Sequence, residues 1–189
     1  MSIDAEKLKE QLKRTYESTK LASIHLGQQI EALEQEKDKV SFLSIPDHSF
    51  GASAEILASG VIRVTIPDIP PSHEIERNDV NKEIRRYYAG MVANPIRSLN
   101  FLEKIKHAVV LIVYYYPNYV IRDGDNRAVK PLLDGIRYSR IIEDDNWKYL
   151  SFTVCGELDK QNPRTELYLF DLHKNIGLLA EWLKKIKRI

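Results

Sequence analysis

The chain has 189 residues, with 28 Lys and Arg against 27 Asp and Glu, a formal net charge of +1, 43% hydrophobic and 29% charged residues. That is the composition of a globular protein with a core, at a length for one domain plus an appendage or two small domains, and it excludes any whole-molecule attraction to nucleic acid or membrane. The single cysteine, Cys155, excludes an intrachain disulfide framework and a cysteine-rich zinc site, and fits a reducing compartment.

Residues 3–40 predict one long helix, because they lack proline, hold one glycine (Gly27), and are dominated by Ala, Leu, Glu, Gln, Lys and Arg. Leu8, Leu12, Thr15, Thr19, Ala22, Leu26, Gln29 and Leu33 recur at alternating steps of four and three, a heptad-like stripe. The stretch 21–30 carries no formal charge, which predicts that its middle packs against something. Residues 1–40 are therefore expected to be an oligomerisation or clamp helix, 41–53 a linker, and 54–189 the main domain. Segments 54–58 and 61–66 around Ser59-Gly60 predict a hairpin with a two-residue turn, ended by Pro67, Pro70 and Pro71. Helices are expected over 78–91 and 95–106, the first carrying Lys82, Arg85 and Arg86 at helical spacing.

Ala108–Tyr116, rich in Val, Ile and Tyr, predicts a central buried strand; as the longest apolar run it falls far short of the ~20 residues of a membrane span. Val129, Leu132, Leu133 and Ile136 predict a helix over 128–138, with Pro131 confined to its first turn and Asp125 and Asn126 at its cap. Strands are expected over 149–154 and 165–170. A final amphipathic helix over 173–189 carries Lys174, Lys184, Lys185, Lys187 and Arg188 against Glu181. Strands and helices are mixed rather than regularly alternating. The expected class is α+β: a small mixed β-sheet with flanking helices, a long N-terminal helix and a basic C-terminal one. Met1 to Lys7 offers no apolar signal region, so a cytoplasmic protein is expected.

The chemistry concentrates in Arg122-Asp123-Gly124-Asp125-Asn126-Arg127-Ala128-Val129-Lys130, followed by Asp134 and then by Glu143-Asp144-Asp145. Two carboxylates one residue apart, between a buried strand and a helix, can turn toward one point. A third from a later turn completes an oxygen-rich site suited to Mg²⁺ or Mn²⁺, as phosphodiester hydrolysis requires. A neighbouring cation, Arg127 or Lys130, would steady the charge on the phosphate. Against this stands the ordinary reading of the same residues: an Asp-x-Asp capping turn, and Lys130–Asp134 as a plain i,i+4 helix pair.

The order of these features resembles the RusA family of Holliday-junction resolvases over residues 61–170. Ile66-Pro67-Asp68-Ile69-Pro70-Pro71-Ser72 matches its opening strand and Pro-Pro-Ser turn, and Asp123-Gly124-Asp125-Asn126 its Asp-x-Asp-Asn motif. Lys130 and Asp134, Asp144-Asp145, and the strand Thr165-Glu166-Leu167-Tyr168-Leu169-Phe170 follow in the family's order. The resemblance implies a RusA-like fold and a homodimeric, Mg²⁺- or Mn²⁺-dependent endonuclease that nicks branched DNA at four-way junctions. Asp123, Asp125 and Asp145, with Asp144 beside it, would hold the metal, and Lys130 would act as a base-like or charge-stabilising group. Read from charge alone, Arg122, Arg127, Lys82, Arg85 and Arg86 are candidates to touch DNA, although basic helix faces are usually just solvated, with Asn126 and Asp134 in support. Two departures are visible. Lys130 stands five residues after Asp125 where the family has four, which one extra residue near Arg127-Ala128 explains. His73-Glu74 also replaces the Asn that follows the family's Pro-Pro-Ser turn.

The scattered histidines His25, His48, His73, His107 and His173 lack zinc-ligand spacing, and no phosphate loop or Gly-x-Ser-x-Gly elbow occurs. Tyr114-Tyr115-Tyr116 reads as sheet packing rather than a base-stacking platform. Three functions remain open on the sequence: an active junction endonuclease, a catalytically altered RusA-like DNA-binding or assembly module, and a helix-mediated interaction protein.

Overall fold

The computed structural model describes residues 2–37, 51–71, 81–99, 103–119 and 127–186. In chain order these form α1 (Ser2–Lys37), β1 (Ser53–Ile56), β2 (Ile62–Ile66), α2 (Asn81–Ser98), β3 (Ala108–Tyr116), α3 (Lys130–Tyr138), β4 (Leu150–Leu158), β5 (Arg164–Asp171) and α4 (Gly177–Ile186). The fold is α+β, with a mixed five-stranded sheet in the order β1-β2-β5-β3-β4. β3 runs parallel to β4 and antiparallel to β5, and the β2–β5 and β1–β2 pairs are antiparallel. Among the described residues no helix is long and apolar enough to cross a membrane.

β3 explains the layering. Its apolar residues serve two faces at once, as a strand buried on both sides requires. Ala108, Val110, Ile112 and Tyr114 join Ile62, Val64, Ile66, Leu167 and Leu169 in the larger core, capped by Tyr88, Met91, Val92 and Ile96 of α2 and Leu132, Leu133 and Ile136 of α3. Leu111 and Val113 face the other way, with Val61, Cys155, Tyr168 and Phe170, under Leu178, Leu179, Trp182 and Leu183 of α4. On this second face the buried Glu166 is neutralised by Arg164, whose Nε donates at 2.7 Å, and also accepts from the Tyr168 hydroxyl.

Several boundaries differ from the sequence expectations. β1 opens at Ser53, inside the segment expected as a linker, whose residues 41–50 lie outside the described ones. The hairpin turn is longer than two residues: Leu57 N donates to Val61 O at 2.9 Å and Gly60 N to Leu57 O at 2.8 Å, with Gly60 at φ +77°. That is a three-residue loop closed by a left-handed glycine. α2 runs through Pro95 to Ser98 instead of stopping before it, and no helix forms over 103–106. Pro95 lies in the last turn, where one lost N–H bond is cheap beside the burial of Met91, Val92 and Ile96. α4 starts at Gly177 because Asp171 and Asn175 bond each other's backbone to shape the turn before it: Asp171 N donates to Asn175 Oδ1 at 2.7 Å and Asn175 N to Asp171 O at 3.0 Å.

α1 is a helix as expected, but it docks through a different face. Ile24 is 3% exposed and enters the larger core beside Leu21, whereas Leu8, Leu12, Thr15, Thr19, Ala22 and Leu26 of the heptad stripe face solvent. Lys20 forms an ion pair with Asp68, and His25 Nε2 lies 3.0 Å from Glu83 Oε2 of α2. Gln29 is exposed too, and the side chain of Leu33 lies outside the described residues.

Candidate functional site

α3 organises the site. Pro131 stands in its first turn, and Leu132, Leu133 and Ile136 drive its inner face into the core. Gly135 allows close approach to α2: a Cβ there would lie 2.6 Å from both the Ala89 carbonyl oxygen and Val92 Cβ. The N-cap is Val129, which makes no side-chain capping bond. The cap position thus falls at Val129 rather than at Asp125 or Asn126, both of which lie outside the described residues.

The outer face of α3 carries Lys130, Asp134 and Arg137 at steps of four and three. The helix ends at Ser139, and Arg140 takes φ 66°, a left-handed position more often filled by glycine. The chain then buries Ile141 and Ile142, with Ile105 N donating to Ile141 O at 2.8 Å, and returns along α3 with Glu143, Asp144 and Asp145. This return brings Asp145 onto Lys130. The Lys130 ammonium hydrogen-bonds Asp145 Oδ2 and lies 2.8 Å from Asp134 Oδ1, so it stands between two carboxylates. Arg137 completes the group, 3.8 Å from Asp145 Oδ1 and 3.9 Å from oxygens of both Asp134 and Asp144. Its Nε is buried with no hydrogen-bond partner. Asp144 Oδ1 accepts from Asp145 N at 2.9 Å and its Oδ2 from Asn146 Nδ2 at 2.7 Å, which fixes the turn.

The electrostatics define charge states. Partial burial works against the Lys130 charge, but hydrogen bonds to Asp134 and Asp145 outweigh it and hold the ammonium above the usual lysine range. The hydrogen bond from Lys130, with smaller help from Asp144 and Arg137, holds Asp145 below the usual carboxylate range. At neutral pH this is an ammonium facing the ionised Asp145. A protonated Lys130 cannot accept a proton, which favours a charge-stabilising role over a base-like one.

Arg127 is committed elsewhere. Its Nη1 donates to Pro70 O at 3.2 Å, its guanidinium lies 5.6 Å from the Tyr116 ring centroid, and Ala128 N donates to Pro71 O at 3.1 Å. These contacts clasp the Pro-Pro turn to the segment entering α3. Of the two candidate cations, Lys130 is thus the one beside the acidic pair. The tyrosines pack, as expected: Tyr114 is buried, and Arg164 lies 3.7 Å over Tyr115. Lys82, Arg85 and Arg86 are exposed on the first turns of α2. Arg122, Asp123, Asp125 and Asn126 lie outside the described residues, as do Lys187 and Arg188.

Among the described residues, no three or more His, Cys, Asp or Glu side chains are placed to hold a metal ion together. Asp134 and Asp145 both direct an oxygen to Lys130, and of the expected ligands only Asp144 and Asp145 are described. Their carboxylate oxygens suit a hard cation. One participant escaped the sequence reading: Arg137, whose signal was its step of three from Asp134 on the same helix face. Away from this cluster, Asp68 accepts from Tyr88 OH at 2.7 Å and pairs with Lys20. Trp147 stands exposed two residues after Asp145.

No protein-family model matches the chain, and no curated protein matches it at a significant level.

Proposed function

We propose that the protein is a Mg²⁺- or Mn²⁺-dependent, structure-specific DNA endonuclease of the RusA type, hydrolysing phosphodiester bonds at branched DNA as a cytoplasmic homodimer. The observation that carries this reading is the meeting of Lys130 with Asp145. The extra residue between Asp125 and Lys130 leaves the lysine on the acidic pair, with the first turn of α3 beginning only after Val129.

Asp123, Asp125 and Asp145, with Asp144 adjacent, would hold the ion. When bound, a divalent ion polarises the scissile phosphate and lowers the pKa of the attacking water. The protonated Lys130 would steady the negative charge that develops on the phosphate. Arg137 adds a second cation 3.8 Å from Asp145, and Asp134 helps keep Lys130 charged. The exposed stripe of α1, with Leu8, Leu12 and Leu26, supports a second chain as partner.

A second reading, a RusA-like DNA-binding module with altered catalysis, is favoured by one feature: Lys130 is already engaged by two carboxylates. Incubation with a four-way DNA junction and Mg²⁺ separates the two. The nuclease reading expects paired nicks from the native protein and none from Asp125→Asn. A gel shift without cleavage selects the binding module. Neither shift nor cleavage leaves an interaction protein organised by α1.

A further inference from the structure

Beside the acidic cluster, the chain holds a large aromatic side chain out in water. Trp147 is 79% exposed, although tryptophan is among the residues with most to gain from burial. Its turn is braced: Asn146 Oδ1 accepts from Lys148 N at 3.0 Å, and Asn146 O accepts from both Tyr149 N and Leu150 N at 3.0 Å. His107 fastens the next residue, donating from Nδ1 to Lys148 O at 2.9 Å, so its Nε2 is left to accept from Ser151 Oγ at 3.0 Å. The Lys148 ammonium lies 5.7 Å from the Trp147 ring centroid. The C-terminal end of α3 repeats the pairing. Tyr138 is 47% exposed, with the Arg137 guanidinium 4.9 Å from its ring, and Arg137 itself reaches Asp134, Asp144 and Asp145. Each aromatic face thus carries a cation and adjoins the acidic cluster, one through Arg137 and the other through the Asp145 turn.

We propose that Trp147, aided by Tyr138, is a stacking surface for unpaired bases of the DNA strand at this site, with Lys148 and Arg137 meeting the adjoining phosphates. A flat ring with a flanking cation matches the alternation of base and phosphate in a strand. Unpaired bases are the occupant because a fully stacked duplex offers no π-face to an exposed ring. The inference rests on the nuclease reading of the cluster and adds that the substrate must present unstacked bases beside the scissile bond.

The test is a titration in EDTA, so that nothing is cut. An oligothymidylate of about twelve nucleotides is compared with a duplex of equal length, followed by fluorescence anisotropy and tryptophan emission. The single strand is expected to quench the native protein's emission, and Trp147→Phe to lose that quenching while binding within about threefold, because the other tryptophan, Trp182 of α4, is packed on Tyr168. Trp147→Ala should bind about tenfold more weakly with an unchanged melting temperature, since the ring supports no core. Saturable binding without quenching, Trp147→Ala binding within twofold of native, equal preference for duplex, or no binding would each overturn the proposal. Quenched binding without any junction cleavage would leave it standing while the nuclease reading fell. Cleavage with Trp147→Ala unaffected in binding would do the reverse.

Discussion

α1 and α3 are both amphipathic helices packed near α2, yet they relate differently to their own sequences. In α3, nine residues between β3 and β4 leave little choice: the apolar positions go inward, and what remains outside is Lys130, Asp134 and Arg137. Among the described residues of the thirty-six-residue α1, contact with the domain falls on a short stretch, and the face that docks, with Lys20, Leu21 and Ile24, is not the face with the longest apolar periodicity. A short helix held at both ends is oriented by burial. A long one is oriented by the few contacts its neighbours offer, and here these include Asp68 and Glu83 as well as the core.

The contrast can be broken most sharply at the site. Asp145→Asn removes the charge that Lys130 and Arg137 face, and should abolish junction cleavage while sparing junction binding in a gel shift. Persistent cutting would separate α3 from the chemistry. Next in size, Ile136→Ala should cost about 2–5 kcal/mol and Gly135→Ala about 1–3 kcal/mol in urea unfolding. The second cost arises because the added methyl meets the Ala89 backbone, which cannot turn aside. Ile24→Ala on α1 should fall at the low end of that range, about 2 kcal/mol, since one turn of that helix carries its burial.

Acid unfolding gives a smaller signal specific to the cluster. Asp145 titrates below its unfolded value of about 3.9, so its contribution is complete above that pH and is lost as the pH falls through the lowered folded value. Asp145→Asn should flatten the acid limb of the stability curve below about pH 4 and leave the neutral region less altered. An unchanged acid limb would mean that Lys130 does not hold Asp145 in solution. The smallest expected effect is on the exposed stripe. Leu12→Ala should change the stability of the folded monomer by no more than about 0.5 kcal/mol while weakening the dimer, and deletion of residues 1–40 should lower the sedimentation mass from dimer to monomer. An unchanged mass would remove α1 from the assembly.

Much of the fold was legible in the residues. The two-faced apolar run of β3, the position of Pro131 and the 129–132–133–136 spacing locate the central strand and the site helix within a residue or two. Boundaries were missed where tertiary burial outweighs a local rule, as at Pro95, or where side-chain-to-backbone bonds redraw a turn, as at Asp171 and Asn175. Strand order was not readable, because it is set by which edges meet in space rather than by any one segment. At the site, the acidic pair and Lys130 were visible as types and spacings. Their meeting was not, because it depends on how the chain returns after Arg140. The commitment of Arg127 to Pro70 and Tyr116 was hidden for the same reason: all its partners are distant in sequence.

The most direct test of the whole account is a crystal structure of the native protein soaked in Mn²⁺, with anomalous scattering locating the ion. The account predicts one site with carboxylate oxygens of Asp123, Asp125 and Asp145 at about 2.0–2.6 Å from it, and Lys130 alongside. Manganese bound away from Asp145, with the Lys130–Asp145 pair undisturbed, would contradict it.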